Sequence, residues 1–269
     1  MIEKLPENLS PKKYQSLSEV VNYITTSHGS LPAFTCFGAT LTYDQLDDLS
    51  NRFASYLQKE TNLKVGDRIA IQLLNLLQFP IVLYGAIKAG LVVVNTNPLY
   101  TSKEMAHQFV DSGVKAIVIL ESFCDKLERI LPQTNISTII VTNLGELQSP
   151  MRKQLINFGA KYLKKIVPKY SLPGAVDFKD TISAPSNYSA PVDIGNGDDV
   201  AVLLYTGGTT GFAKGAMLSH NNLISNMMQL RSRTLLLIED KTENIAAPLP
   251  LYHSYAFLLH CLAMPYAGN

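Results

Sequence analysis

Long apolar runs, paired cysteines and a bias of charge are all missing from this chain of 269 residues. No stretch reaches the roughly eighteen consecutive apolar residues of a membrane-spanning helix, and the N-terminal "MIEKLPENLSPKKYQSL" lacks the apolar centre of a secretion signal. Cys36, Cys124 and Cys261 are scattered and show no CxxC spacing. That pattern argues against a disulfide framework and a zinc site, and fits a reducing, intracellular compartment. A formal net charge of +1 gives no overall attraction to nucleic acid, so any basic patch is local. Neither an internal repeat nor a low-complexity tract is present. What remains, 46% hydrophobic and 17% charged, is an ordinary globular composition, long enough for one large domain or two modest ones.

Short apolar, β-branched runs recur: "RIAIQLL" (Arg68 to Leu74), "LVVVNT" (Leu91 to Thr96), "KAIVIL" (Lys115 to Leu120), "STIIVT" (Ser137 to Thr142) and "DVAVLLY" (Asp199 to Tyr205). They read as buried strands. Helical patterns lie among the early ones. Leu46, Leu49, Phe53 and Leu57 form an i, i+3, i+4 stripe, and "SKEMAHQFVDSG" opens with Ser102 as the expected cap and closes at Gly113. The alternation implies an α/β fold with a layered, mostly parallel sheet flanked by helices. In open sheets of that kind ligands bind beyond the carboxyl ends of the strands.

A basic texture begins after residue 150. Arg152, Lys153, Lys161, Lys164, Lys165 and Lys169 occur between Met151 and Tyr170 with no acidic residue among them. At helical spacing Leu155, Phe158, Tyr162 and Ile166 share one face, opposite Lys153, Lys161, Lys164 and Lys165, so residues 151–167 read as a basic amphipathic helix. Two readings stand: a surface helix docked by its apolar face with the lysines in solvent, or contact of Lys161, Lys164 and Lys165 with anionic lipid headgroups. Pro168 and Pro173 are expected to end the helix. The turn-rich connector from Ser183 to Asp199 places a boundary between a first α/β subdomain, residues 1–190, and the start of a second, residues 191–269.

"YTGGTTGFAKGAMLSH", Tyr205 to His220, holds four glycines, three threonines and one lysine in sixteen positions. Glycine at that density suits backbone that turns sharply or approaches a ligand closely. Between a strand and the helical pattern that follows, free N–H groups, threonine hydroxyls and the Lys214 ammonium would form a cradle for phosphate oxygens. It is not a Walker A loop, because Phe212 and Ala213 separate Gly211 from Lys214. Further on, in "AAPLPLYHSYAFLLHCLAMPYAGN", Pro248 and Pro250 would stiffen an extended segment and fix the directions of Tyr252 and His253. By its position alone His253 reads as a satisfied core histidine. His253 and His260 are too few to hold a metal with no acid nearby, and Cys261 reads as core.

Together these stretches resemble the adenylate-forming superfamily of acyl-CoA synthetases, luciferases and peptide-synthetase adenylation domains. "YTGGTTGFAKGAMLSH" is similar to its phosphate-binding motif and "PLPLYH" to a second motif downstream. "LTYDQLDDLSNRFASYL", "VGDRIAIQLLN" and "GAIKAGLVVVNTNPLYTSKEMAHQFVDSG" look like its N-terminal landmarks, in order from about Leu41 onward. "NPLYT", "IVPKYSLP" and the variants Gly207 and Ala213 are most like the bacterial long-chain fatty acid–CoA ligase branch.

The resemblance implies part of the superfamily's N-terminal domain and a two-step reaction. A fatty carboxylate attacks the α-phosphate of MgATP to give acyl-adenylate and pyrophosphate, and the coenzyme A thiol then displaces AMP. It assigns Tyr205, Thr206, Gly207, Gly208, Thr209, Thr210, Gly211, Lys214 and Gly215 to the ATP phosphates, and His253 to the acyl carboxylate. The family's magnesium-binding acidic motif, adenine and ribose contacts and catalytic lysine would all lie beyond Asn269. No catalytic residue or metal ligand is therefore assigned here, and the chain is expected to be an N-terminal part unable to complete the reaction alone. The implied partners are fatty acid, ATP, Mg2+ and coenzyme A, with no nucleic acid. A cytoplasmic location at the inner face of the cell membrane and self-association through exposed apolar surface are also expected. Three alternatives are a fatty acyl-AMP ligase, an aryl-CoA ligase and a catalytically silent lipid- or nucleotide-binding module.

Overall fold

The computed structural model describes residues 13–190, 196–207, 213–234 and 237–269. Helix α1 (Leu17–Ser27) leads into a small antiparallel hairpin, β1 (Pro32–Cys36) and β2 (Ala39–Thr42). Its turn is Phe37-Gly38, both at positive φ of 50° and 79°, the geometry whose twist matches paired strands. Helix α2 (Tyr43–Lys59) starts with a reciprocal capping box between Thr42 and Gln45.

Then β3 (Arg68–Gln72), α3 (Gln78–Lys88), β4 (Val92–Asn95), α4 (Ser102–Ser112), β5 (Ala116–Leu120), α5 (Cys124–Ile130) and β6 (Thr138–Thr142) follow in alternation. The cap of α4 is Thr101, not the expected Ser102. Thr101 closes a capping box with Glu104, and Gly113 ends the helix at φ 62°, where only glycine sits without strain. After α6 (Pro150–Phe158) come β7 (Val176–Asp177), α7 (Phe178–Thr181), β8 (Val200–Thr206), β9 (Lys214–Ser219) and α8 (His220–Thr234). The last described segment carries α9 (Ser254–Leu258), a π-helical turn and α10 (Met264–Ala267).

Strands β3 to β9 form one seven-stranded sheet ordered β7-β6-β5-β3-β4-β8-β9, parallel except for β9. Two-residue alternation divides its side chains between two cores. Ile69, Ile71, Val93, Val118, Val202 and Leu204 face α1, α2, α3, α8 and the C-terminal helical segment. Ala70, Val92, Val94, Ile117, Ile119 and Leu203 face α4 and α5. Fully covered side chains such as Phe53 and Phe109 each contribute about 1.5–3 kcal/mol. The connections from β3 and β4 thus leave to opposite faces, which opens a crevice at their carboxyl ends.

Two expectations need amendment. The connector near residue 190 leads back into the same sheet, where β8 pairs in parallel with β4. The basic helix is shorter and its apolar face is not docked: α6 passes into a π-helical turn that ends at Leu163, before Pro168. Its polar side holds it to the domain, through Lys153 paired with Glu146 and Asn157 bridging Gly145 N (2.9 Å) and Asn143 Oδ1 (2.8 Å). The apolar residues point outward, with Leu155 72%, Phe158 54% and Leu163 74% exposed.

Candidate nucleotide site at the carboxyl edge of the sheet

The glycine-rich stretch joins two strands that pair antiparallel. Tyr205 pairs with Gly215 and Thr206 with Lys214 across β8 and β9, and α8 begins only at His220. The expected strand-to-helix setting is therefore corrected, and the α8 dipole does not serve the loop. Gly208, Thr209, Thr210 and Gly211 lie outside the described residues. Thr206, Gly207 and Lys214 are exposed at the rim, and a Cβ on Gly207 would meet nothing within 4 Å. Gly215 differs, since a Cβ there would stand 2.9 Å from Cζ of Tyr205. Only glycine leaves room for that ring to lie across the hairpin.

Helix α4 meets both rims of the loop. The Tyr205 hydroxyl donates to Asp111 Oδ2 at 2.5 Å, and His107 Nε2–H donates to the Ala213 carbonyl at 2.9 Å. Burial and the Asp111 carboxylate push the Tyr205 phenol well above its usual range, so it stays a protonated donor.

The second motif reaches the same edge by a route absent from the sequence reading. Asn75, just beyond the end of β3, donates to the carbonyls of Ala247 (3.0 Å) and Leu249 (2.9 Å) and accepts from Leu251 N (2.9 Å). Its carboxamide thus holds the stretch containing Pro248 and Pro250. His253 is exposed at the N-cap position of α9, where its side chain makes no capping hydrogen bond, and its ring lies 4.5 Å from that of Tyr252. The reading of His253 as a core histidine is set aside. His260 and Cys261 are buried instead, and burial lowers the His260 pKa and raises the Cys261 thiol. A cavity of about 550 Å³ beside Asn75 is lined by Phe34, Cys36, Leu76, Leu77, Ile245 and Leu251, among others.

Buried amides add polarity to this edge. Both carboxamide atoms of Gln72, the last residue of β3, and of Asn95, the last of β4, lack partners among the described residues. Lys161, Lys164 and Lys165 are not part of the cluster. They sit exposed on the π-helical turn after α6 and just beyond it.

A mostly parallel sheet, with the glycine-threonine stretch and a clamped histidine segment at one carboxyl edge, defines the fold as an α/β domain of the doubly wound kind. Residues 24–269 match the AMP-binding enzyme family, and the chain belongs to it. It is 40% identical over 260 residues to the long-chain-fatty-acid–CoA ligase of Salmonella typhimurium, covering 96% of this chain and 46% of the relative. It is 43% identical over 258 residues to the ligase of that name from Haemophilus influenzae, covering 94% and 46%. The chain spans about half the length of the curated relatives it matches. Among solved structures, an anthranilate CoA ligase in complex with anthranoyl-AMP superposes with a TM-score of 0.78 at 16% identity over 97% of this chain and 45% of that one. ATP-bound MatB from Rhodopseudomonas palustris gives 0.72 at 24% identity, over 94% and 44%. At these identities both attest the fold.

Proposed function

We propose that this chain is the nucleotide- and acyl-handling part of an AMP-forming long-chain fatty acid–CoA ligase. The observation that carries the reading is the convergence of the hairpin loop and the Asn75-held His253 segment on one carboxyl edge, in a chain similar to such ligases. In this reading Tyr205, Thr206, Gly207, Gly208, Thr209, Thr210, Gly211, Lys214 and Gly215 form the ATP phosphate site. Their N–H and hydroxyl donors and the Lys214 ammonium stabilise charge that builds on pyrophosphate as the fatty carboxylate attacks the α-phosphorus. His253 stands at the acyl carboxylate, and coenzyme A takes the acyl group in the second step. Among the described residues no group of three His, Cys, Asp or Glu is placed to hold a metal ion. Magnesium is accordingly proposed as the ion accompanying ATP, and no step is assigned to it.

The test is fatty-acid-dependent ATP–pyrophosphate exchange by the full reading frame containing this chain. Lys214→Met is expected to lower the exchange by about 10²–10³-fold, the usual effect of removing one donor to developing charge. Exchange at the wild-type rate would overturn the reading.

We also infer that the α6 segment rests on an anionic membrane surface at the inner face of the cell membrane. Its outward Leu155, Phe158 and Leu163 would enter the headgroup boundary. Lys161, Lys164 and Lys165 would add attraction of about 1 kcal/mol each. Phe37, exposed at the β1–β2 tip, lies beside it, its carbonyl accepting from Arg152 Nη1 at 3.3 Å. Sedimentation with anionic vesicles is expected to retain the wild type and to lose the protein with all three lysines changed to Glu. Equal retention would refute the lysines' role.

A further inference from the structure

The geometry points to α4 as the buttress that positions the glycine-rich loop, with His107 and Asp111 as positioning residues and Tyr205 and Gly215 as its seat on the hairpin. The inference rests on the nucleotide reading of the loop and goes beyond it, because α4 itself carries none of the residues assigned to phosphate.

His107 and Asp111 stand one helical turn apart, so they share a face of α4. That face meets the hairpin at one residue before the loop and one after it. Asp111 takes the Tyr205 hydroxyl at 2.5 Å, and His107 holds the Ala213 carbonyl at 2.9 Å. Ala213 immediately precedes Lys214, so the His107 contact fixes the backbone from which the loop's only ammonium projects. Gly215 makes the other contact possible by leaving the space its partner Tyr205 fills.

The helix is itself tied at both ends and along its inner side. Its start is fixed by the Thr101–Glu104 box and its end by Gly113. Met105 and Phe109 are fully buried, and Gln108 Nε2 donates to the Asn95 carbonyl at the end of β4 (3.0 Å). The loop's rims are thereby referenced to the neighbouring parallel strand through a rigid element, beyond the hairpin's own ladder. Tyr205 and Gly215 consequently serve the phosphate site through their packing.

The test is limited tryptic cleavage after Lys214 in this chain, with cleavage after the exposed Lys165 as internal control, alongside calorimetric titration with ATP. Cleavage of a transiently open segment follows the population of its open form. His107→Ala and Tyr205→Phe are each expected to raise cleavage after Lys214 by about three- to tenfold, the shift from one lost hydrogen bond, and to weaken ATP binding by a similar factor. The Lys165 cut and the thermal midpoint should change little. His107→Gln, which keeps an N–H donor, is expected to restore both readouts. Unchanged Lys214 cleavage in Tyr205→Phe and His107→Ala would overturn the buttress. So would increased cleavage with undiminished ATP affinity, since α4 would then hold the hairpin without serving the ligand. A wild-type chain that binds no ATP would instead count against the nucleotide reading, and the cleavage pattern would decide the buttress alone.

Discussion

Lys88 is a buried cation held by a polar cluster. It is fully buried on α3, and its ammonium reaches Asp47 Oδ1 (2.7 Å), Asn51 Oδ1 (2.8 Å) and Ser50 Oγ (2.9 Å). Burial lowers its pKa against the opposing pull of Asp47. For Asp47, burial acts to raise the pKa, but the Lys88 charge and hydrogen bonds from Lys88, Thr25 and Asn51 bring it below 3.8. The Asp47 contribution is therefore complete above pH 3.8 and is lost as pH falls through its depressed folded value. Lys88→Ala is expected to cost about 2–4 kcal/mol in urea unfolding, below the upper range for a fully buried pair because Asp47 keeps part of its surface in solvent. Lys88→Met, which retains most of the volume, should cost less. Equal unfolding midpoints for wild type and Lys88→Ala would contradict this account.

Helix packing sets the next predictions. Gly85 lies in the middle of α3, where alanine would ordinarily gain about 1 kcal/mol of helix propensity. Here its Cβ would stand 2.7 Å from Phe53 Cδ1 and 2.8 Å from the Ser50 carbonyl of α2, and that backbone atom cannot step aside. Gly85→Ala should destabilise, by about 1–3 kcal/mol for overpacking; a higher melting temperature would show that α2 gives way. Leu155→Ser in α6 should change stability by no more than about 0.5 kcal/mol, because the side chain touches solvent, while reducing retention on anionic vesicles. The parallel strands and the α2 and α4 patterns were legible because each buries a face at a fixed period. The orientation of α6 was not, since its apolar stripe suggests docking, whereas Asn157 and Lys153 find better partners in Asn143, Gly145 and Glu146. The candidate site was legible as a glycine-threonine cluster but not as a hairpin, because "KGAMLS" is too short and mixed to announce β9. Asn75, His107 and Asp111 carry no local signal at all; only the sheet order brings them to the loop and to the second motif.

Across the whole molecule, α1 is tied to distant segments by buried imidazoles. His220 Nδ1 accepts from Leu17 N (3.0 Å), and His28 Nε2 lies 3.3 Å from the Tyr266 carbonyl. Burial lowers the pKa of His28, His220 and His260 below 6.5. In the window between each folded value and 6.5 the unfolded chain binds more protons, so stability is complete above pH 6.5 and declines as pH falls through that window. The urea midpoint should drop on acidification from neutrality, and His220→Asn, which keeps an acceptor near Leu17 N but cannot titrate, should flatten the slope. An unaltered slope would remove His220 from the set. The pairing of β8 with the distant β4, on the side away from its sequence neighbour β9, also has a temporal meaning. During synthesis the β3–β6 crossovers can assemble from nearby segments, while β8 emerges only after β7 and must travel back across the growing sheet to an edge already built. The glycine-rich loop is therefore delivered to its place in the last stretch of a long return, and the ribosome will have released α4, its landing surface, well before it arrives.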